Sequence, residues 1–563
     1  MSTPQRLAHE APVGQETPRR RRLSWAAVLG LVVGIRRLPV SLATWLGSFL
    51  LLAAVLLIRN AYLFSARIYE NQDYGANSIA VLQAQHLRLL TGNYSKKGFY
   101  HPGPAFLYVM AAGESVFHGL LHLVPTPWNG QLIAILLLNA ALLAASLAVF
   151  ARQASSARVP LACLAVLLGY AAVHPLAVNS GWMPYVYFAP ALLLLVSGAS
   201  VGSGQTADLP LLALSAGLCI NGQAEFLLFA PVVVVAALGG LIVAHRDLRG
   251  LLRGRGRHWA GALLAAALLL FPIALNTALH WPGPFGHYLS YMREVSIHHS
   301  AGVSVRYVLR FWWLGTPTAA AARGGLWVMA VLGVLALVLA LRCPQAGLRR
   351  FLCWSLAVAA LTTAAFVYYA CASITDREIG STPYLGYFYW AVPLVVAAVA
   401  AAGATVYAGR WRAALLPLAA LVAAASVTAA VVPQQRDGRT DPPARYLGVP
   451  QLPHTVWLLA AIAKGRPIVV RIADYNWKDA VGVIAYADRR GLRSCVTGLH
   501  RRSWDGKILF RAQSECTARE ERVGVSFVFR RRTSWTPRDG PVVAALPFTF
   551  ITRMPSSHRA SAT

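Results

Sequence analysis

Charge is what this sequence has little of. Charged residues make up only 13% of the 563, and Asp and Glu number 21 against 51 Lys and Arg. A soluble protein of this length would carry roughly twice that charged fraction. A soluble globular class is therefore excluded. The seven Cys form no metal-type CxxC pair, which removes the commonest zinc patterns. What is present instead is apolar. Hydrophobic residues make up 57% of the chain, and apolar runs of about twenty residues recur, the length of a membrane-crossing helix. Backbone groups inside a bilayer must bond within their own segment, so such runs become helices. The chain reads as a polytopic α-helical membrane protein.

The formal net charge of +30 would point to nucleic acid in a soluble protein. Here much of the Arg falls in short loops between apolar runs, where it fixes orientation and meets anionic lipid head groups. The expected surroundings are membrane lipids, with no nucleic acid.

Residues 1–40 read as a cytosolic basic tail, with Arg19, Arg20, Arg21 and Arg22, followed by an interfacial helix over 23–35. Residues 41–432 read as a transmembrane domain with about eleven transmembrane helices. Their expected positions are 41–58, 130–150, 159–176, 184–199, 208–221, 224–244, 259–278, 323–341, 351–371, 386–408 and 414–432. Arg clusters at 246–257, 342–350 and 410–412 fall on the same side of this arrangement. That places the N-terminus inside and the C-terminus outside.

The first outer loop, 59–129, is the most informative stretch. It puts Glu70 and Asp73 just beyond the first span, then offers a helical segment, the basic pair Lys96 and Lys97, and the turn His101-Pro102-Gly103-Pro104. A carboxylate beside the membrane with cations near it suits chemistry on a lipid-linked phosphate. Residues 105–124 resemble a span but carry Glu114, His118 and His122 at i, i+4 and i+8, on one helical face. Three such groups are costly in a bilayer. The expected form is a juxtamembrane helix along the outer surface with its polar face to water. His at i+4 spacing also suits a divalent metal. Further outer loops carry Glu225, then Arg293, then Asp376, Arg377 and Glu378 followed by Tyr384.

From residue 433 to 563 the apolar spans stop. Strands are expected at 467–473, 493–497 and 523–530, with a helix over 476–490, in a βαβ-like order. This is a small soluble α/β domain with neither GxGxxG nor GxxxxGK[ST], hence no nucleotide site. Cys495 and Cys516 could pair if the domain is extracytoplasmic. The other five Cys read as small apolar residues in or beside spans.

The loop and topology together resemble the GT-C superfamily of integral-membrane glycosyltransferases. The likeness is to the branch holding the protein O-mannosyltransferases and the bacterial aminoarabinose transferases that modify lipid A. Asp73-Tyr74-Gly75-Ala76 stands at that branch's acidic motif, Leu87 to Gly92 at the end of the following helix, and His101-Pro102 at its Lys/His-Pro turn. Residues 105–124 stand at its surface helix. The family often has paired acids, whereas Asp73 is followed by Tyr74, with Glu70 the nearest second acid. The resemblance implies inverting transfer of a sugar from a polyprenyl-phosphate donor to a glycan, lipid or protein hydroxyl on the outer face. Asp73 would then be the general base and Glu70 a second base or metal ligand. Lys96, Lys97, His101, Arg293 and Arg377 would face the donor phosphate. From their positions alone, Glu225, an acid beside a span, is expected to line the pocket, and Tyr384 or Tyr387 to stack on sugar. Heavy use of Ala, Arg, Gly and Leu points to a GC-rich bacterial genome, hence a plasma membrane and a cell-envelope acceptor.

Two rival readings remain at this point. A transporter or flippase of lipid-linked glycans would show broken or charged spans near mid-membrane and an internal repeat; neither stands out. A non-catalytic envelope assembly protein would work through its C-terminal domain and would not need Asp73.

Overall fold

The apolar runs become helices. The computed structural model describes residues 39–95, 97–154, 156–245, 255–294, 299–315, 317–407, 449–473, 476–497 and 509–554. Among them, eight helices are long and apolar enough to cross a membrane: Val40–Arg59, Pro127–Gln153, Met183–Gly202, Phe226–His245, Gly256–Leu279, Ala321–Leu341, Ala346–Ser373 and Pro383–Tyr407. Two further expected spans appear as shorter apolar helices, Arg158–Val173 and Leu209–Gly222. The expected span at 414–432, the basic tail and the interfacial helix at 23–35 lie outside the described residues.

Burial sorts these helices into an inner and an outer set. Over its most apolar stretch Met183–Gly202 is 100% buried, and Pro127–Gln153 is 83% buried. Gly256–Leu279 and Ala321–Leu341 are only 11% and 17% buried, with Leu264, Phe271, Trp327 and Val331 exposed. Apolar faces of this kind belong against lipid.

Residues 105–124 are not among the helices long enough to cross, as expected, and His122 is exposed, but Glu114 does not face water. An α-helix, Ala105–Gly113, runs on into a π-helical stretch, Glu114–Leu120. Phe106, Leu107 and Met110 are buried, and so is Glu114. The cause is a close crossing with Pro127–Gln153. A Cβ added at Gly113 would lie 2.4 Å from the Gly130 carbonyl, so only glycine admits the contact. The crossing brings Glu114 Oε2 to Gln131 Nε2 at 2.7 Å. Extra residues in a π-helical turn break the i, i+4, i+8 register. His118 Nδ1 instead meets the Val124 carbonyl, and His122 Nδ1 the His118 carbonyl.

The C-terminal domain is a five-stranded sheet of order β2-β1-β3-β5-β4, with β1 Ile468–Ile472, β2 Ser494–Thr497, β3 Val525–Arg531, β4 Val542–Ala545 and β5 Thr549–Arg553. β1 runs parallel to β2 and β3, and β5 antiparallel to β3 and β4. The helix between β1 and β2 is Ala480–Arg489, shorter than expected at its start. Asn476, read as helical, instead donates its side-chain amide to Thr549 Oγ1 at 2.7 Å. Cys495 and Cys516 form a disulfide, which fits an extracytoplasmic domain. Ala76 and Ile79 from the first loop share this domain's core with Val456, Val483 and Phe527. The loop and the domain are thus one packed unit on one side of the helix bundle.

Candidate functional site

Asp73 sits in the first turn of the Gln72–Gln85 helix. Its Oδ1 accepts from the Tyr94 hydroxyl, and its Oδ2 accepts from Trp182 Nε1 at 2.8 Å. Tyr94 belongs to a short hairpin closed by a bridge to Tyr100. Gly92 N–H donates to His101 O at 2.8 Å, and His101 N–H to Asn93 O at 2.9 Å. This hairpin carries Tyr94, Lys97 and His101 to one place.

That place is an open cleft with about 710 Å³ of space, part of it continuous with solvent. Asp73, Lys97, His101, Glu225, Glu378 and Tyr384 all line it. His101 is buried, and its Nδ1 accepts from the Ala224 N–H at 3.1 Å. Burial pushes its pKa down; Glu225 opposes this and Lys97 reinforces it. The imidazole is therefore neutral at pH 7, with its proton on Nε2. Lys97 Nζ lies 3.6 Å from Glu378, donates to Ser373 O at 3.3 Å, and sits 4.8 Å over the Tyr291 ring. Burial works against its charge, but Glu378, Tyr291 and Glu225 outweigh it and raise the pKa. Glu225 Oε1 accepts from the Tyr369 hydroxyl at 2.9 Å, while its Oε2 is buried with no hydrogen-bond partner among the described residues. The Tyr384 ring packs on Trp182 at 5.4 Å.

The other expected site residues lie elsewhere. Glu70 does not line the cleft; it is buried in an ion pair with Arg489 of the C-terminal domain. Arg293 is exposed on the Gly283–Glu294 helix and does not line the cleft either. Arg377 falls in the Asp376–Ser381 helix, but its side chain lies outside the described residues, as does Lys96. Glu378 is the acid of that helix that meets Lys97.

Sequence reasoning missed Tyr94 and Trp182. Trp182 follows Asn179-Ser180-Gly181, a polar break between two apolar runs. An aromatic there reads as a membrane-interface anchor, and only its proximity to Asp73 distinguishes it. Tyr94 carries no signal beyond lying between the helix and the basic pair.

The described residues do not gather a ligand set for a divalent metal: no three His, Cys, Asp or Glu side chains among them converge. Glu114, the expected partner of His118 and His122, is committed to Gln131 and Arg489.

Neither a scan of protein-family models nor a search of curated proteins finds a match to this chain. The multi-pass helical architecture and the cleft's chemistry define it here: a membrane protein with three carboxylates, a lysine and a neutral imidazole converging beside a domain whose disulfide fits an extracytoplasmic place.

Proposed function

We propose that the protein transfers a sugar from a polyprenyl-phosphate donor to a hydroxyl of a cell-envelope acceptor, on the outer face of the membrane and with inversion. The observation that carries this reading is the Asp73 carboxylate, held on both oxygens by neutral donors in a cleft that also contains Lys97. The acceptor hydroxyl attacks the anomeric carbon, its proton passes to Asp73, and the bond from that carbon to the phosphate oxygen breaks. The lipid phosphate leaves with the electron pair. A carboxylate suits the proton transfer, and a preorganised cation suits the departing phosphate. Lys97 is that cation, and neutral His101 offers Nε2–H as a further donor. Tyr384 and Trp182 supply aromatic faces for sugar. The general GT-C-like arrangement of about eleven spans, with the C-terminal domain outside, belongs to the same reading.

The test is sugar transfer by purified full-length protein in lipid nanodiscs, with radiolabelled polyprenyl-phosphate sugars and envelope acceptor fractions. Wild type is expected to transfer at least one sugar, and Asp73→Asn to lose about a hundredfold or more of that rate. Equal rates in folded wild type and Asp73→Asn would remove Asp73 as the base. Movement of intact donor across the bilayer without its consumption would favour a transporter.

A further inference from the structure

Four consecutive residues before Asp73 are held by the C-terminal domain. Tyr69 O accepts from Val449 N–H at 3.3 Å. The Glu70 carboxylate meets the Arg489 guanidinium. Asn71 Nδ2 donates to Asp479 Oδ1 at 3.1 Å, and Gln72 N–H to Lys478 O at 2.8 Å. Gln72 itself has φ +51°, a left-handed conformation that is uncommon for a non-glycine residue. The fit is close throughout: a Cβ added at Gly482 would lie 2.6 Å from the Glu70 carbonyl.

The partner of Asp73 is held from the same side. The Tyr94 ring packs edge-on against Trp477 at 6.3 Å. Farther along the hairpin, buried Arg511 donates to Gly92 O at 2.6 Å and to Thr91 Oγ1 at 3.0 Å, and lies 4.5 Å over the Tyr100 ring. Both walls of the cleft that carry Asp73 and Tyr94 therefore rest on residues far along the chain.

Arg489 is the hinge pin of this arrangement. Its side chain is only 10% exposed. Nη1 donates to Glu70, while Nε and Nη2 donate to the two oxygens of Glu114, each at 3.0 Å. That is a forked, charge-assisted pairing with one carboxylate and a further bond to a second. Glu114 in turn accepts from Gln131 in the Pro127–Gln153 helix. The chain of contacts runs from a transmembrane helix through Glu114, Arg489 and Glu70 to the Asp73 segment. Removing one partner of such a buried network leaves the others uncompensated.

We infer that Arg489 is a positioning residue for Asp73, so that the catalytic site is complete only with the C-terminal domain docked. The kinetic half of this inference rests on the transferase reading; the structural half does not. Two independent readouts separate them, both on full-length protein in nanodiscs. The first is hydrogen exchange of peptides covering residues 69–101. The second is transfer kinetics.

In Arg489→Met, exchange over 69–101 is expected to rise by about tenfold or more while the Pro127–Gln153 helix stays protected. The kcat is expected to fall by about a hundredfold, the scale of an ångström-sized displacement, with KM for donor and acceptor changing by less than about twofold. Arg489→Lys keeps the charge without the fork and should recover part of both. A folded Arg489→Met protein with wild-type exchange or wild-type kcat overturns the inference. Should Arg489→Met fail to fold, Arg489→Lys decides: unchanged exchange and kcat overturn the inference, and intermediate losses in both support it. A wild type inactive toward every donor would remove the transferase reading, and the exchange data would still decide whether Arg489 holds the loop.

Discussion

Trp182 Nε1 donates to Asp73 Oδ2 at 2.8 Å across 109 residues of sequence. The indole has one donor and no acceptor, so it can steady a carboxylate without competing for the proton that the carboxylate is to receive. Trp182→Phe keeps the ring and removes the donor. In the proposed reaction it lowers kcat by about tenfold, the worth of a hydrogen bond to a charged group at ~1.5 kcal/mol. Steady-state transfer kinetics check this, with circular dichroism to confirm the fold.

Lys97→Met removes the described cation of the cleft, and in the proposed reaction the KM for the lipid-phosphate donor is expected to rise by about tenfold or more. Lys97→Arg should recover part of the loss. Because the pKa of Lys97 is raised, its charge persists at and above the ordinary lysine range. Donor KM is therefore expected to stay flat from about pH 7 to about pH 9. A pH series of donor KM measures it.

His101 couples stability to acid. Its folded pKa is lowered by burial, with Glu225 and Lys97 as the charges facing it. Above about pH 6.5 the imidazole is neutral in both folded and unfolded chains, and its contribution is intact. Below that, the unfolded chain takes up a proton that the folded one does not, so stability falls as pH drops toward the folded pKa. His101→Asn retains an acceptor for the Ala224 N–H and does not titrate. Thermal melting between about pH 7 and about pH 5 should show a smaller loss in the variant than in wild type.

The Cys495–Cys516 disulfide closes a sequence separation of 21. Replacing both by Ser is expected to cost the C-terminal domain about 3 kcal/mol. Proteolysis of the full chain under native conditions, with and without the replacement, reads this as faster cleavage within residues 449–554.

Much of the architecture was legible because bilayer physics writes it into composition. Runs such as Phe226–His245 and Ala346–Ser373 leave no other fold for their backbone. Asp73, Lys97 and His101 could be gathered because they share one polar stretch after the first apolar helix, and Glu225 and Tyr384 because each stands in a polar break between apolar runs. Glu70 and Glu114 have the same appearance in sequence, yet both turn to Arg489. No local pattern reveals a partner that lies 419 residues away in one case and 375 in the other. β4 and β5 were missed for a different reason. Val542–Ala545 and Thr549–Arg553 are short, and their alternation is blurred by Pro541 and Pro547 at the strand ends.

The span between Glu70 and Arg489 also sets an order in time. A ribosome adding about 5–20 residues per second needs roughly 20–80 s to go from one to the other. During that interval Glu70, Asn71 and Gln72 have already been made and their holders have not. The segment carrying Glu70 must wait without these contacts while the later helices are made. The contacts of Glu70, Asn71 and Gln72 with Arg489, Asp479 and Lys478 form only once that far segment has been made. On the transferase reading proposed above, synthesis of the far end of the chain is then the step that completes the near end.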